Sequence, residues 1–80
     1  LKKLNLSNNQ IGEFPEFLGK ENLLESLNLS SNKIEGAIKF DFQKIRMLDE
    51  LILADNEITA LNGTINKLEY IRHLGLHNLF

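Results

Sequence analysis

Apolar and polar residues alternate in short bursts along this chain. Leu4-Asn5-Leu6, Leu27-Asn28-Leu29, Leu51-Ile52-Leu53 and Leu74-Gly75-Leu76 each carry two apolar residues one position apart. A period of two is that of a half-buried β-strand. Leu4 and Leu6 then point inward, and Lys3, Asn5 and Ser7 point outward. A further apolar residue stands three places before each burst: Leu1, Leu24, Leu48 and Ile71. A polar run ending in Ile follows the first three: Ser7-Asn8-Asn9-Gln10-Ile11, Ser30-Ser31-Asn32-Lys33-Ile34 and Ala54-Asp55-Asn56-Glu57-Ile58. The bursts begin at Leu4, Leu27, Leu51 and Leu74, at offsets of 23, 24 and 23 residues.

A pattern that returns at a fixed period of 20–50 residues marks stacked repeats. One strand per repeat builds a parallel sheet with strands ~4.8 Å apart. The chain must then cross over on the far side to reach the next strand. The apolar residues available for that crossover are Phe14 and Leu18, then Ile38, Phe42 and Ile45, then Leu61, Ile65 and Leu68. The last two sets are spaced three or four apart, which predicts helical or 3-10 turns. Ile45 and Leu68 lie three residues before the next repeat. Glu21 holds that place in the first repeat, so Leu23 is the candidate to fill the gap in the core. Asn9, Asn32 and Asn56 sit where the chain leaves each strand. A carboxamide both donates and accepts, so the three are expected to form a structural ladder that satisfies turning backbone.

These residues follow L-x-x-L-x-L-x-x-N-x-L, the signature of leucine-rich repeats, and the resemblance covers the whole chain. It implies an α/β solenoid, a horseshoe segment with a parallel sheet on its concave face and helical or 3-10 turns on its convex face. About 3.5 repeats are expected, over residues 1–23, 24–47, 48–70 and a partial 71–80. Both ends carry leucine-rich faces without a visible polar cap, and solenoid repeats need such caps. The expectation is therefore an internal stretch of a longer chain. Two narrower resemblances stand side by side. Asn32-Lys33-Ile34-Glu35-Gly36-Ala37-Ile38 resembles the plant receptor form N-x-L-x-G-x-I-P, with Lys39 in place of its proline. Residues 27–58 and the ending Leu74-Gly75-Leu76-His77-Asn78-Leu79 are similar to acidic leucine-rich nuclear phosphoproteins, which implies an intracellular adaptor in nucleus or cytoplasm. Leu61-Asn62-Gly63 is also similar to axonemal and phosphatase-regulatory members.

Leucine-rich repeat proteins usually bind partners on the concave face. Its outward columns read Lys2, Glu25, Asp49, Arg72; then Lys3, Ser26, Glu50, His73; then Asn5, Asn28, Ile52, Gly75; then Ser7, Ser30, Ala54, His77. Charge runs from basic at the first strand, through an acidic centre, to basic or titratable at the fourth. The candidate partner-binding residues are Lys3, Glu25, Asn28, Asp49, Glu50, Ile52, Arg72 and His73. Ile52 and Ala54 form a small exposed apolar spot within this strip. Lys2 beside Glu25 and Asp49 beside Arg72 are expected to compensate one another. Three Asn-x-Ser/Thr triplets, at Asn5, Asn28 and Asn62, are glycan acceptors if the chain is secreted.

Composition narrows the function classes. The 80 residues include 16 Leu and 10 Asn but no Cys, so disulfides and thiolate zinc sites are excluded. A net charge of −2 gives no electrostatic reason for a nucleic acid or an anionic membrane as partner. No apolar run approaches the ~20 residues that span a bilayer. His73 and His77 share a strand face ~13 Å apart, too far to chelate one metal. No catalytic constellation, metal site or cofactor site is expected. The expected function is a non-enzymatic, intracellular scaffold binding another protein. An extracellular receptor ectodomain recognising a peptide or glycan, and a structural segment of a large assembly, are the alternatives.

Overall fold

The computed structural model describes residues 2–76. Leu1, and His77, Asn78 and Leu79 of the fourth repeat, lie outside the described residues. Four short strands, β1 (Lys3–Asn5), β2 (Ser26–Asn28), β4 (Glu50–Ile52) and β6 (His73–Gly75), form one parallel sheet in that order. Leu4 pairs with Leu27, Leu27 with Leu51 and Leu51 with Leu74, the register set by the leucine spacing. Each strand is followed, on the way to the next, by a 3-10 turn: η1 (Glu16–Lys20), η2 (Phe42–Ile45) and η3 (Gly63–Lys67). Parallel strands joined by 3-10 turns give the architecture of a leucine-rich repeat solenoid.

The core lies between the sheet and these turns. Leu24, Leu27, Leu29, Leu48, Leu51 and Leu53 approach it from the strand side, and Leu18, Phe42 and Ile45 from the turn side, all fully buried. Phe42 also anchors an aromatic cluster, its ring centroid 5.5 Å from Phe14 and 5.4 Å from Phe40. Leu23 does not fill the first repeat's gap: it is 64% exposed, while Leu18 from η1 is buried at its own place, six residues before Leu24 as Phe42 is before Leu48. Leu23 lies in the turn that Leu24 N–H closes by donating to Glu21 O (3.0 Å). With Leu24 committed to the core, Leu23 is turned outward.

The crossovers differ from the expectation in a second respect. They begin as strands: β3 (Glu35–Ile38) and β5 (Glu57–Leu61) pair in parallel as a second, two-stranded sheet. Ile38 and Leu61, expected as the first residues of helical sets, end these strands. Stacking aligns the exit segments as well as the main strands, so their backbones can pair too. Gly36 takes φ +77°, and the register shifts between Gly36 and Ala37, a bulge that gives β5 one extra residue against β3. Repeat one contributes no third strand. Lys33 N–H donates to Ile11 O (2.9 Å), but the pairing stops before Pro15. Proline has no N–H to offer a ladder, and Pro15 instead becomes the cap preceding η1.

Asn8, Ser31 and Asp55 adopt left-handed backbone, with φ of 58°, 54° and 59°. They occupy one equivalent place, immediately before each ladder asparagine. This conformation costs most L-residues roughly 1–2 kcal/mol, and Asn and Asp tolerate it better than Ser. Ser31→Gly is therefore expected to stabilise the fold by about 0.5 kcal/mol, the relief being partly offset by glycine's greater freedom when unfolded. Thermal unfolding checks this: Ser31→Gly should raise Tm and Ser31→Val should lower it.

Candidate functional site

The asparagines of the strand exits hold the turns that frame the exposed face of the sheet. Asn56 Nδ2 donates to Leu53 O and Leu29 O (both 3.0 Å) and to Ala54 O (3.2 Å), while its Oδ1 accepts from Ile34 N–H (3.1 Å). Asn32 repeats the arrangement with Leu29 O, Leu6 O, Ser30 O and Ile11 N–H. Each side chain thus ties its own turn to the preceding repeat. They are the buried polar residues among those described, at 8% and 5% exposure. Asn9 donates to Leu6 O and Ser7 O within its own turn and is exposed.

At the other end of each strand, the backbone makes a regular stair. Lys2 O accepts from Glu25 N–H and Ser26 N–H, Glu25 O from Asp49 N–H and Glu50 N–H, and Asp49 O from Arg72 N–H and His73 N–H. This stair sets the charged columns one above another. Lys3, Glu25, Ser26, Asp49, Glu50, Arg72 and His73 consequently line one shallow depression across all four strands. Six of the eight candidate partner-binding residues meet there. Asn28 and Ile52 lie two residues further along β2 and β4, so they adjoin the depression without lining it.

Within the strip, the acidic centre is partly engaged. Arg72 donates to Asp49 Oδ2 at 3.0 Å, an exposed ion pair of the kind worth ~0–1 kcal/mol. Ser26 Oγ donates to Glu50 Oε1 at 2.7 Å. Lys2 and Glu25 meet through backbone only; their side chains form no ion pair among the described residues. Asn28 Oδ1 accepts from Ser30 N–H and Ser30 Oγ–H, and Asn5 does the same for Ser7. Ile52 is half-buried and leans over Gly75, where an added Cβ would stand 3.3 Å from its Cγ2. The expected apolar spot is smaller than its two residues. Ala54 is 2% exposed, because its single methyl stays within the strand-exit turn that Asn56 closes.

The third Asn-x-Ser/Thr triplet serves the opposite side of the fold. Asn62 Oδ1 caps η3 by accepting from Thr64 N–H (2.9 Å), and its Nδ2 donates to Lys39 O (3.0 Å). Thr64 Oγ1 accepts from Phe42 N–H (2.8 Å). These bonds staple η3 to η2. No group of three or more metal-ligating side chains is arranged around a common point among the described residues. Among them too, no helix is long and apolar enough to cross a membrane.

The repeats, the parallel register and the asparagine-held turns define a class of solenoid whose exposed sheet face is a broad, shallow surface. Comparison with known proteins gives the family. The leucine-rich repeat model matches residues 1–20 and 23–45, more than half of the chain, and the chain belongs to that family. It is 42% identical over 66 residues to an uncharacterized leucine-rich repeat-containing protein of Schizosaccharomyces pombe, covering 82% of this chain and 11% of that protein. It is 37% identical over 60 residues to receptor-like protein 18 of Arabidopsis thaliana, covering 75% of this chain and 7% of that one. Receptor like protein 22 of the same plant is 38% identical over 61 residues, with 76% and 8% covered. The chain thus spans 7–11% of the length of these relatives. Leucine-rich repeat domains generally mediate protein–protein interaction and are typically non-enzymatic.

Proposed function

We propose that this chain is a segment of an intracellular scaffold that docks a partner protein on the concave strip of Lys3, Glu25, Asn28, Asp49, Glu50, Ile52, Arg72 and His73. The supporting observation is that residues drawn from four strands line one depression. The strip offers separated charges and backbone-fixed spacing, and it has no enclosed cavity for a small molecule. Complementary charge across such a surface sets partner choice and association rate more than raw affinity. Reversing Glu25, Asp49 and Glu50 to lysine should weaken the full-length protein's binding to its partner roughly tenfold or more, measured by titration at low salt. Unchanged affinity in that triple variant contradicts the strip.

A second reading is a segment of an extracellular receptor ectodomain. It is favoured by the two receptor-like relatives and by the Asn32–Ile38 stretch, in which Gly36 takes a φ of +77° beside the register shift of the second sheet. On this reading, secreted protein should show a glycosidase-sensitive mobility shift that is reduced in Asn62→Gln. Secreted protein that ignores the glycosidase counts against it.

A further inference from the structure

Three of the five large exposed hydrophobic residues among those described occupy a single column. Leu23, Met47 and Tyr70 are 64%, 38% and 55% exposed. Each directly precedes the first core residue of its repeat: Leu24, Leu48 and Ile71. The neighbouring core positions cannot do without their apolar residues, whereas this outward position carries no packing demand. A solvated flank needs only polar residues there, so an apolar residue repeated at this place is the surface signature of a contact site.

The ground beside the column is acidic. Met47, Tyr70 and Ile71 line a groove together with Glu25, Asp49, Glu69 and Arg72. That gives three carboxylates against one guanidinium, and Arg72 is already held by Asp49. Among the described residues Glu25 and Glu69 form no ion pair. The groove thus offers an apolar wall, an aromatic ring and two carboxylates without a cationic partner. A side chain with an apolar stem and a cationic head matches all three: the stem lies along Met47 and Ile71, and the head reaches the carboxylates and the Tyr70 ring.

We propose that this flank of the solenoid is a second docking surface, occupied by a partner-protein segment that inserts an arginine or lysine into the Met47–Tyr70 groove and rests a neighbouring apolar residue on the Leu23 column. It adjoins the concave strip and extends the protein-docking reading: it shares Glu25, Asp49 and Arg72 with the strip and adds Leu23, Met47, Glu69, Tyr70 and Ile71. Charge complementarity selects this occupant: the groove sets three carboxylates against one guanidinium.

The test is selection of a random 12-residue peptide library on the full-length protein, followed by titration of the selected peptides. Enriched peptides should carry Arg or Lys beside an apolar residue. Their affinity should fall tenfold or more in Met47→Ser/Tyr70→Ser and in Glu69→Lys, and should hold in Glu50→Lys/Ile52→Ser. All of these side chains except Ile52 and Glu50 are exposed, and circular dichroism checks that each variant remains folded. Enrichment of acidic or uncharged peptides overturns the proposal. So does full affinity in Met47→Ser/Tyr70→Ser, or a loss confined to Glu50→Lys/Ile52→Ser, which would leave the concave strip standing alone. Self-association abolished by Tyr70→Ser would assign the column to a second copy and overturn it as well. Conversely, peptide binding that follows the flank variants, with natural-partner binding indifferent to Glu50→Lys/Ile52→Ser, would remove the strip and keep the flank.

Discussion

Asn56→Ala is expected to destabilise the fold by about 3 kcal/mol or more, while Asn9→Ala costs less than about 1 kcal/mol. The two residues occupy the same place in their repeats, so the difference isolates what burial and stacking add. Asn56 is buried and serves three carbonyls and one backbone N–H, drawn from its own turn and from the repeat before it. Alanine leaves those groups without a partner where water reaches poorly, at ~1–3 kcal/mol for each that stays unsatisfied. Within this 80-residue stretch Asn9 is exposed and bonds only to its own turn, so solvent replaces it there. Asn56→Asp should be at least as damaging as the alanine. It keeps an acceptor for Ile34 N–H but turns a second oxygen toward the carbonyls of Leu29, Leu53 and Ala54. Urea denaturation measures all three variants. Equal losses for Asn9→Ala and Asn56→Ala would show that the inter-repeat bonds contribute nothing beyond the local turn.

Phe42→Ala is expected to cost about 3–5 kcal/mol, the range for deleting a large side chain from a packed core. Phe42 is fully buried and contacts the rings of Phe14 and Phe40, so its removal opens a cavity between repeats one and two. Its backbone N–H remains bonded to Thr64, so the loss reports packing alone. Phe40 is only half-buried, and Phe40→Ala should lose no more than about half as much. A loss below about 1 kcal/mol for Phe42→Ala, by the same urea titration, would contradict this account of the turn-side core.

The main sheet was legible because its information is redundant. The offset between Leu4, Leu27, Leu51 and Leu74 is also the strand register, and period-two alternation fixes which side chains face inward. Part of the charged strip was legible for the same reason: once the inward residues are assigned, Lys3, Glu50 and His73 have only one face left, whereas Glu25 precedes β2 and is placed by the backbone stair. Other features had no such redundancy. Ile38 and Leu61 lie four residues before Phe42 and Ile65, a spacing that suits both a helical turn and the last residue of a strand. The second sheet is fixed by stacking between repeats, which no local pattern reports. The left-handed turn residues left a trace in Asn8 and Asp55, but Ser31 at the equivalent place obscures it. Leu23, Met47 and Tyr70 fall outside the signature, and the missing apolar residue at Glu21 points to Leu23, which its turn instead faces outward. Ala54 was counted as exposed from strand alternation alone. The strand ends at Ile52, and past that point the turn decides burial.

Site-specific photo-crosslinking in the full-length protein tests the docking account most directly. A photoreactive residue at Ile52, on the sheet face, is compared with one at Gln43, exposed on η2 on the opposite side. The account predicts that the partner protein crosslinks to position 52 and not to position 43. Crosslinking at 43 with none at 52 would contradict it.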